Sequence, residues 1–295
     1  MIRNPLKGIK NRVEFVALSD IHNGIPNGDP LMENRPRVDR ETETGLVSPV
    51  SAKRKIRDVA ALLMEGKPGY DIYVKIGGTL DDEIEKTCKE RGLDIKKAPR
   101  EEVRKALTNR YVDLRYFGTV GAGTNPVGHI TGPIQFGWGR SVDPVTVDPV
   151  QITCKSVTKA EAKAEQMGDD NSGYVTGTMG MQYVIPYALY RTSIFYSPFL
   201  ARVSGFTEED MNLFVEALYR MYELTRSASR AEMAAQKLYA FEHSSPLGDA
   251  PAHKLFDLIR VARKDKEAPA RNFSDYSITV NRDDVPEGVT FHEVF

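Results

Sequence analysis

Apolar positions along this chain change between strand-like runs and helical spacing, which indicates a mixed α/β protein. The segment RVEFVALSD at 12–20 is rich in Val, Phe and Leu and predicts a first strand. A helix is predicted next, with Ser48 as its N-cap, Pro49 at its first position and Gly66 at its end. Its apolar positions follow helical spacing: Ala52, Ile56, Val59, Ala60 and Leu63.

The pattern changes after this helix. Residues 81–105 contain 16 charged residues among 25 and predict two short amphipathic helices separated at Gly92. The segment TLDD beginning at Thr79 resembles a capping box with Asp82 in the place of glutamate. We therefore expect a helical insertion on the main body.

The second half predicts a glycine-rich stretch, a hairpin and a mixed C-terminal region. Residues 113–138 are glycine-rich, and the following chain has strand-like ends around a polar middle, which predicts a long protruding hairpin. A helix should begin at Thr207, with one apolar face formed by Met211, Phe214, Val215, Leu218 and Tyr222. The last predicted elements are the strand QKLYAFEHS, the helix APAHKLFDLIRVARK and a final strand DYSITVN. This order favours an α+β sandwich of ferredoxin-like type.

Composition limits the function classes. The 295 residues are 41% hydrophobic and carry a formal charge of -1, so any binding of a polyanion requires a local concentration of positive charge. Cys88 and Cys154 form no C-x-x-C pair, which suits a reducing compartment and predicts neither a disulfide framework nor a zinc site. The chain has no apolar run of membrane-spanning length, and we expect a cytoplasmic protein without membrane partners.

The first helix carries the strongest local charge. Its segment SAKRKIR at 51–57 has four bases and no acid. Helical spacing places Lys53 and Arg57 on one flank, Arg54 away from the core and Lys55 on the opposite flank. Cations near a helix N-terminus oppose the macrodipole by about 0.3–1 kcal/mol each, and a bound polyanion would reverse that penalty. A merely solvated basic face is the alternative.

A long polar loop, NGIPNGDPLMENRPRVD at 23–39, precedes this helix. It brings Arg35 and Arg37 towards the basic segment, and Asn23 and Asn27 can hydrogen-bond to bases, sugars or phosphates. Two ordinary Asn-Gly turns would explain the same residues. The spacing of a calcium-binding loop is absent.

Other chemical motifs are weak. GAGTNP lacks the third glycine of a dinucleotide fingerprint, and GTVGAGT lacks the lysine of a phosphate loop. Several glycines here are expected to let the backbone bend or approach a ligand closely: Gly118, Gly121, Gly123, Gly128 and Gly132.

The histidines show no metal-ligand spacing, and no serine lies in a G-x-S-x-G motif. Asp20, Asp29 and Asp39 could hold Mg²⁺ if the loop folded back, so an enzyme is an alternative, although scattered acids on a loop are usually just solvated. Met179 and Met181, in a polar hairpin, could serve as a wedge or interface, or pack on their own domain.

Taken in order, these segments resemble a known family, the backbone subunit of type I-C CRISPR surveillance complexes (Cascade) in the Cas-seven superfamily. The resemblance runs from about residue 12 to residue 260. It rests on NGIPNGDP at 23–30, NRPRVD at 34–39, GLVSPVSAKRKIRD at 45–58, DLRYFG at 113–118, TGPIQF at 131–136, TMG at 178–180, IPYALYR at 185–191 and HSSPLGDAPAHKLFD at 243–257.

The resemblance implies a hand-like subunit. Its palm would be a modified ferredoxin-like or RNA-recognition-motif fold made of residues 1–64, 113–147 and 184–295. Residues 65–112 would form helical fingers, and the hairpin 148–183 would form a β-hairpin thumb. Copies would stack along the spacer of a guide RNA (crRNA), each thumb displacing one base, so that the guide reads target DNA while the protein reads backbone and shape.

The resemblance also implies partners and contacts. The partners are crRNA, target DNA, copies of the chain itself and other Cascade subunits: a guide-handle-binding subunit, a large subunit and small subunits. The role is non-catalytic and requires no cofactor. The implied RNA contacts are Asn23, Asn27, Lys53, Arg54, Arg57, Gln135 with neighbouring Gly132, and the thumb-tip residues Met179 and Met181; Arg191, Arg226 and Arg230 are weaker candidates.

Two departures from known patterns limit these expectations. The aromatic signature of RNA-recognition motifs is missing, so base stacking on sheet aromatics is not implied. Members of the family often carry basic residues directly after TMG, whereas this chain has Met181 and Gln182. Relatives of this family in type III complexes cut target RNA with a loop aspartate, so the resemblance leaves a metal-dependent RNA endonuclease that uses Asp20, Asp29 or Asp39 as the second hypothesis. A purely structural polymer without nucleic acid is the third hypothesis.

Overall fold

The computed structural model describes residues 5–120, 128–154 and 178–295, with backbone only at 153, 154, 178 and 179. The strands are β1 (Val13–Gly24), β2 (Gly28–Asp29), β3 (Arg35–Pro36), β4 (Thr44–Val47), β5 (Gly118–Thr119), β6 (Ile130–Thr131), β7 (Ile134–Phe136), β8 (Gly139–Pro144), β9 (Asp148–Cys154), β10 (Thr178–Tyr196), β11 (Glu232–His243), β12 (Ile259–Arg263), β13 (Tyr276–Val280) and β14 (Val289–Glu293). The α-helices are α1 (Pro49–Leu63), α2 (Leu80–Glu90), α3 (Arg100–Arg110), α4 (Val112–Phe117), α5 (Pro198–Ser204), α6 (Glu208–Leu224) and α7 (Ala252–Asp257). The expected mixture of helices and sheet is therefore confirmed.

An eight-stranded sheet organises the fold. Its strands follow the order β14-β11-β1-β10-β8-β4, and both β7 and β9 also pair with β10. All of these pairs are antiparallel. The 19-residue β10 pairs first with β9 and then with β1, β7 and β8, so one continuous strand joins the hairpin to the main sheet.

Side chains on β1 alternate between two cores. Val13 and Phe15 belong to the core beneath α1 and α6, whereas Val16 and Leu18 belong to a second core with residues of α7, β12 and β13. Successive strand residues point to opposite faces, so the sheet is covered on both sides. Phe15 meets Phe214 of α6 edge to face, with ring centroids 6.2 Å apart.

The two long helices begin where local signals predicted. Ser48 Oγ accepts a hydrogen bond from the Ser51 N–H at 3.3 Å, and Pro49 is the first residue of α1. Thr207 and Asp210 form a complete capping box at the start of α6, and all five apolar residues predicted on its face are buried. On α1 the residues Ala52, Ile56, Val59 and Ala60 are buried as well, and Leu63, the last residue of the helix, is 41% exposed.

The segment 65–112 has a core of its own. Ile84 and Cys88 of α2 pack with Val103 and Leu107 of α3 and with neighbouring residues. Thr79 Oγ1 accepts from the Asp82 N–H at 3.2 Å and so caps α2. The two predicted helices therefore form, and Gly92 follows α2 with a φ of +67°.

Three other expectations need correction. Strand β1 continues to Gly24, beyond the predicted end at residue 20, because β10 and β11 pair with it along its whole length. The predicted helix 250–264 is wrong beyond residue 257: IRVAR alternates apolar and polar residues and pairs with β13 as a strand. The predicted final strand DYSITVN is β13, and β14 follows it at the sheet edge beside β11.

The predicted hairpin is present in its two arms. Strand β9 pairs with β10 from Asp148↔Val184 to Cys154↔Thr178. Residues 155–177 lie outside the described part of the chain. Within the described ranges, no helix has the length and apolar character needed to cross a membrane.

Candidate nucleic-acid interface

An open groove of about 1050 Å³ lies at the N-terminus of α1. Its walls are the loop after β1, the first turns of α1 and the segment that follows α6. Five cationic side chains line it: Arg37, Arg54, Lys55, Arg226 and Arg230. Asp58 is the acidic residue among the lining residues, so the groove carries a local excess of positive charge in a chain whose formal charge is -1.

Hydrogen bonds fasten the long polar loop to the helix start. Asn27 Oδ1 accepts from the Ser48 N–H at 2.8 Å. The Arg37 N–H donates to the Asn27 carbonyl at 3.0 Å, and the Leu46 N–H donates to the Arg37 carbonyl at 2.8 Å. The loop is therefore a fixed wall of the groove, and the amide oxygen of Asn27 is used within the protein.

Lys55 forms the floor of the groove. Its side chain is buried, with 5% exposure for the residue, and Nζ donates to Ser51 Oγ at 2.9 Å. Burial and, to a smaller extent, the neighbouring charge of Arg230 together lower the pKa of Lys55 to about 8. No carboxylate of the described residues forms an ion pair with Lys55 or Arg230. Helical spacing predicted a flank position for Lys55, whereas its Nζ lies 5.9 Å from the ring centroid of Tyr222 on α6 and the residue is buried.

Several buried polar atoms of the groove have no partner in the described protein. They are Arg37 Nε, Ser227 Oγ and Arg230 Nε, each on a residue that lines the groove. An unsatisfied buried polar group costs about 1–3 kcal/mol. A ligand rich in anionic acceptor oxygens would satisfy these donors, and the helix N-terminus would favour the same charge.

Three groove cations already have acidic partners. Arg54 donates to both oxygens of Asp58, at 2.6 and 3.2 Å, and Arg37 lies 3.4 Å from Asp29. Arg226 pairs with Glu223. These pairs are partly exposed and contribute little to stability, so they can open towards a stronger anion. Lys55 and Arg230 are the cations whose charge is least compensated.

The flank that Lys53 shares with Arg57 lies outside the groove. Lys53 Nζ and the Arg57 guanidinium lie 5.2 and 5.0 Å from the centroid of the Phe117 ring. Arg57 also pairs with the buried Asp113 at 2.7 Å, and Asp113 accepts from the Tyr73 and Val74 N–H groups. Arg57 therefore anchors α1 to α4, and Asp113 in turn holds Tyr73 and Val74 of the insertion. Burial is the main cause that lowers the pKa of Lys53, and the charge of Arg57 is the second.

The polar candidates Asn23 and Gln135 are exposed and do not line the groove. Asn23 has a φ of +44° at the end of β1. Gln135 Nε2 donates to the Gly132 carbonyl at 3.0 Å. A Cβ on Gly132 would lie 2.3 Å from the Tyr116 carbonyl oxygen, so this glycine is required by close backbone packing.

The remaining predicted RNA contacts also divide into residues that line the groove and residues that do not. Met181 is 62% exposed on β10, opposite Gln151, and the side chain of Met179 lies outside the described residues. Arg191 donates to the carbonyls of Phe256 and Ile259, at 2.6 and 3.0 Å, and so holds the layer on the opposite face of the sheet. Of the weaker candidates, Arg226 and Arg230 line the groove and Arg191 does not.

The acids considered for Mg²⁺ are engaged elsewhere. Asp20 is buried and accepts from Gln236 Nε2 at 2.8 Å and Tyr187 Oη at 3.2 Å. Asp29 caps a short helical turn and Asp39 lies 3.6 Å from Arg140. Within residues 5–120, 128–154 and 178–295, no three potential metal ligands come together.

Sequence reasoning missed two lining residues, Lys55 and Trp138. The sequence identified Lys55 as a basic residue of the helix but did not predict that it is buried. Trp138 lies between β7 and β8 and is 48% exposed. Its position between Gly137 and Gly139 was the available signal, because a large aromatic residue between two glycines has little local packing.

Comparison with known proteins places this geometry in a family. A family model described as CRISPR-associated protein Cas7 matches residues 11–281. A CRISPR-associated protein Cas7 from Haloferax volcanii is 33% identical over 113 residues, which are 37% of this chain and 32% of that protein. The match thus spans about a third of the length of that relative.

One solved structure supports the fold. A chain of a CRISPR RNA-guided surveillance complex, pre-nicking, superposes with a TM-score of 0.55 at 16% identity, over 82% of this chain and 80% of that chain. A chain of a second CRISPR RNA-guided surveillance complex gives a TM-score of 0.45 at 16% identity, over 82% of this chain and 71% of its own. Because the family model extends over most of the sequence, the chain belongs to the CRISPR-associated protein Cas7 family.

Proposed function

We propose that this chain is a non-catalytic backbone subunit that binds guide RNA in a CRISPR surveillance complex. The observation that carries the proposal is the groove at the α1 N-terminus, where Lys55 and Arg230 lack acidic partners among the described residues and buried donors point to no protein acceptor. Membership of the Cas7 family and a fold shared with a chain of a CRISPR RNA-guided surveillance complex support the same function.

The groove suits a backbone more than a base sequence. Guanidinium and ammonium groups bind phosphates irrespective of the base attached, and this interaction weakens steeply with salt. Copies of the chain would polymerise along the crRNA spacer and leave base edges free to pair with target DNA. The remaining expected partners are the guide-handle-binding, large and small subunits of a type I-C Cascade in the cytoplasm.

The outer contacts complete this proposal. The segments 1–64, 113–147 and 184–295 act as the palm, 65–112 as the fingers and 148–183 as the thumb. Asn27 and Arg54 contact the guide together with the lining cations. Asn23, Lys53 and Gln135 contact it outside the groove, Arg57 acts mainly by holding α1, and Met179 and Met181 meet a displaced base.

Charge reversal at Arg230 tests the assignment. The protein is co-expressed with a guide locus, purified by size exclusion, treated with nuclease, and any protected RNA is sequenced. Wild-type protein should elute as large particles with spacer RNA. Arg230→Glu should retain little RNA, and because the new carboxylate would partner Lys55, the variant should stay folded.

A matched control is Arg282→Glu, which reverses an exposed arginine whose pair with Glu293 at 3.6 Å contributes little. It should keep the RNA. Equal retention by the two variants would reject the groove as the RNA site. A filament that persists in wild type after nuclease has removed all RNA would favour the purely structural polymer.

A further inference from the structure

Trp138 is the single tryptophan of the 295 residues and lies on the wall of the groove. Its position is determined by strand pairing. Val47, which precedes the N-cap Ser48, pairs with Gly139 across β4 and β8. In this antiparallel register the next residue towards the groove is Ser48 on one strand and Trp138 on the other. The indole is therefore held beside the first turn of α1.

Close packing at Gly139 fixes this position. A Cβ on Gly139 would lie 2.7 Å from Thr192 Oγ1 and 3.2 Å from Val47 Cβ, so the backbone here approaches both neighbouring strands too closely for a side chain. Trp138, one residue earlier, is 48% exposed. A rigid backbone thus presents a half-exposed indole.

The ring of Trp138 has no stacking partner among the described residues, in contrast to the rings of Phe117 and Tyr183. Phe117 carries Lys53 and Arg57, and the Tyr183 ring lies 3.9 Å from the Arg35 guanidinium carbon. Tryptophan has the largest apolar ring surface of any residue, and leaving half of it in water forgoes stabilisation that burial would provide.

Charge and apolar surface therefore occur together in one groove. Val50 and Leu224 also line it and are 73% and 42% exposed. A simple polyanion would need the cations and not the indole. A nucleotide needs both, since it joins a phosphate to a flat base, and stacking on an aromatic side chain is the usual way to bind unpaired bases.

We propose that the Trp138 indole is a stacking platform for one unpaired base of the RNA strand whose phosphates bind beside it in the groove. This inference rests on the proposed function and names a contact within the same site. Trp138 lies between strands at the rim of the sheet, so the missing aromatic signature on the sheet face does not bear on it.

The test uses tryptophan emission, excited at the long-wavelength edge of absorption where the tyrosines absorb little, and Trp138 is the single tryptophan of the chain. Two probes are titrated: an adenine-only RNA decamer and an abasic ribose-phosphate decamer of equal charge. Binding of each probe is measured separately by fluorescence anisotropy of an end label. The RNA should quench Trp138 emission at saturation, and the abasic decamer should bind without quenching.

Variants give the second measurement. Trp138→Ala should weaken RNA binding about fivefold or more and leave binding of the abasic decamer unchanged, because it removes stacking and not charge. Trp138→Phe should keep most of the RNA affinity. Since the side chain is half-exposed, neither change should disturb the core.

Failures of the two proposals are distinguishable. RNA binding that is lost in Arg230→Glu but leaves Trp138 emission unchanged would overturn the stacking contact and keep the RNA-binding function. Equal quenching by the abasic decamer would also overturn stacking. No binding of either probe would overturn both.

Discussion

Replacing Lys55 with methionine should stabilise the free protein, although it removes a charge that the groove uses. Lys55 is buried with a hydrogen bond to Ser51 Oγ and without an acidic partner among the described residues. Burial and then Arg230 lower its pKa from 10.5 to about 8. A group whose folded-state pKa is depressed in this way binds its proton less well when folded than when unfolded.

The magnitude follows from that shift. The charged form at pH 7 costs the folded state about 3 kcal/mol relative to the unfolded state. Methionine has a similar shape and no charge, so Lys55→Met should raise the free energy of unfolding by a substantial part of this amount, less the lost hydrogen bond. As pH rises from 7 to 9.5 the wild type loses the buried charge, and the difference between the two proteins should shrink by about 2 kcal/mol.

Urea unfolding of both proteins at pH 7 and 9.5 measures this difference. The highest pH stays below 10, because tyrosines of the unfolded state begin to ionise near that pH. Burial raises the pKa of Tyr222 to about 12, so ionisation of this tyrosine in the unfolded state alone would lower the stability of the fold. The same titration occurs in both proteins below that limit and cancels. A difference that is constant with pH would refute the burial of a charged Lys55.

Other perturbations have defined outcomes. Wild-type affinity for RNA, measured by filter binding, should fall about tenfold from pH 7 to 9, because a bound phosphate raises the lowered Lys55 pKa again, and Lys55→Met should remove this dependence. Arg57→Ala should lower the free energy of unfolding by about 3 kcal/mol in urea, since it leaves Asp113 buried without its cation, and adding Asp113→Asn should recover part of the loss. An assembled complex given complementary RNA and Mg²⁺ should leave that RNA intact on a gel, whereas regularly spaced cuts that disappear in Asp29→Ala would support the endonuclease alternative.

Local signals located the elements that border the site. Ser48 and Pro49 start α1, and Thr207 starts α6, because capping depends on residues within one turn. The C-terminal region was harder to predict. Residues 259–263 form a strand because they pair with β13, more than ten residues later in the chain. The prediction from apolar spacing alone continued the preceding helix through these residues.

The site itself depended on contacts between distant segments. Lys55 was predicted on the flank opposite Lys53 and Arg57, and it is instead buried, with Nζ 5.9 Å from the ring centroid of Tyr222, which lies 167 positions later in the sequence. Arg57 was expected to face a ligand and instead pairs with the buried Asp113 of α4. The basic character of the helix could therefore be predicted, but not which of its bases would face the groove.

Site-directed photo-cross-linking tests the central claim most directly. Particles are assembled on a guide whose spacer contains 4-thiouridine, irradiated, digested, and the cross-linked peptides are identified by mass spectrometry. Our account predicts cross-links to peptides that contain residues 27–58 and 224–230, together with Trp138. Cross-links confined to the β12–β13 layer, with none to the groove, would contradict it.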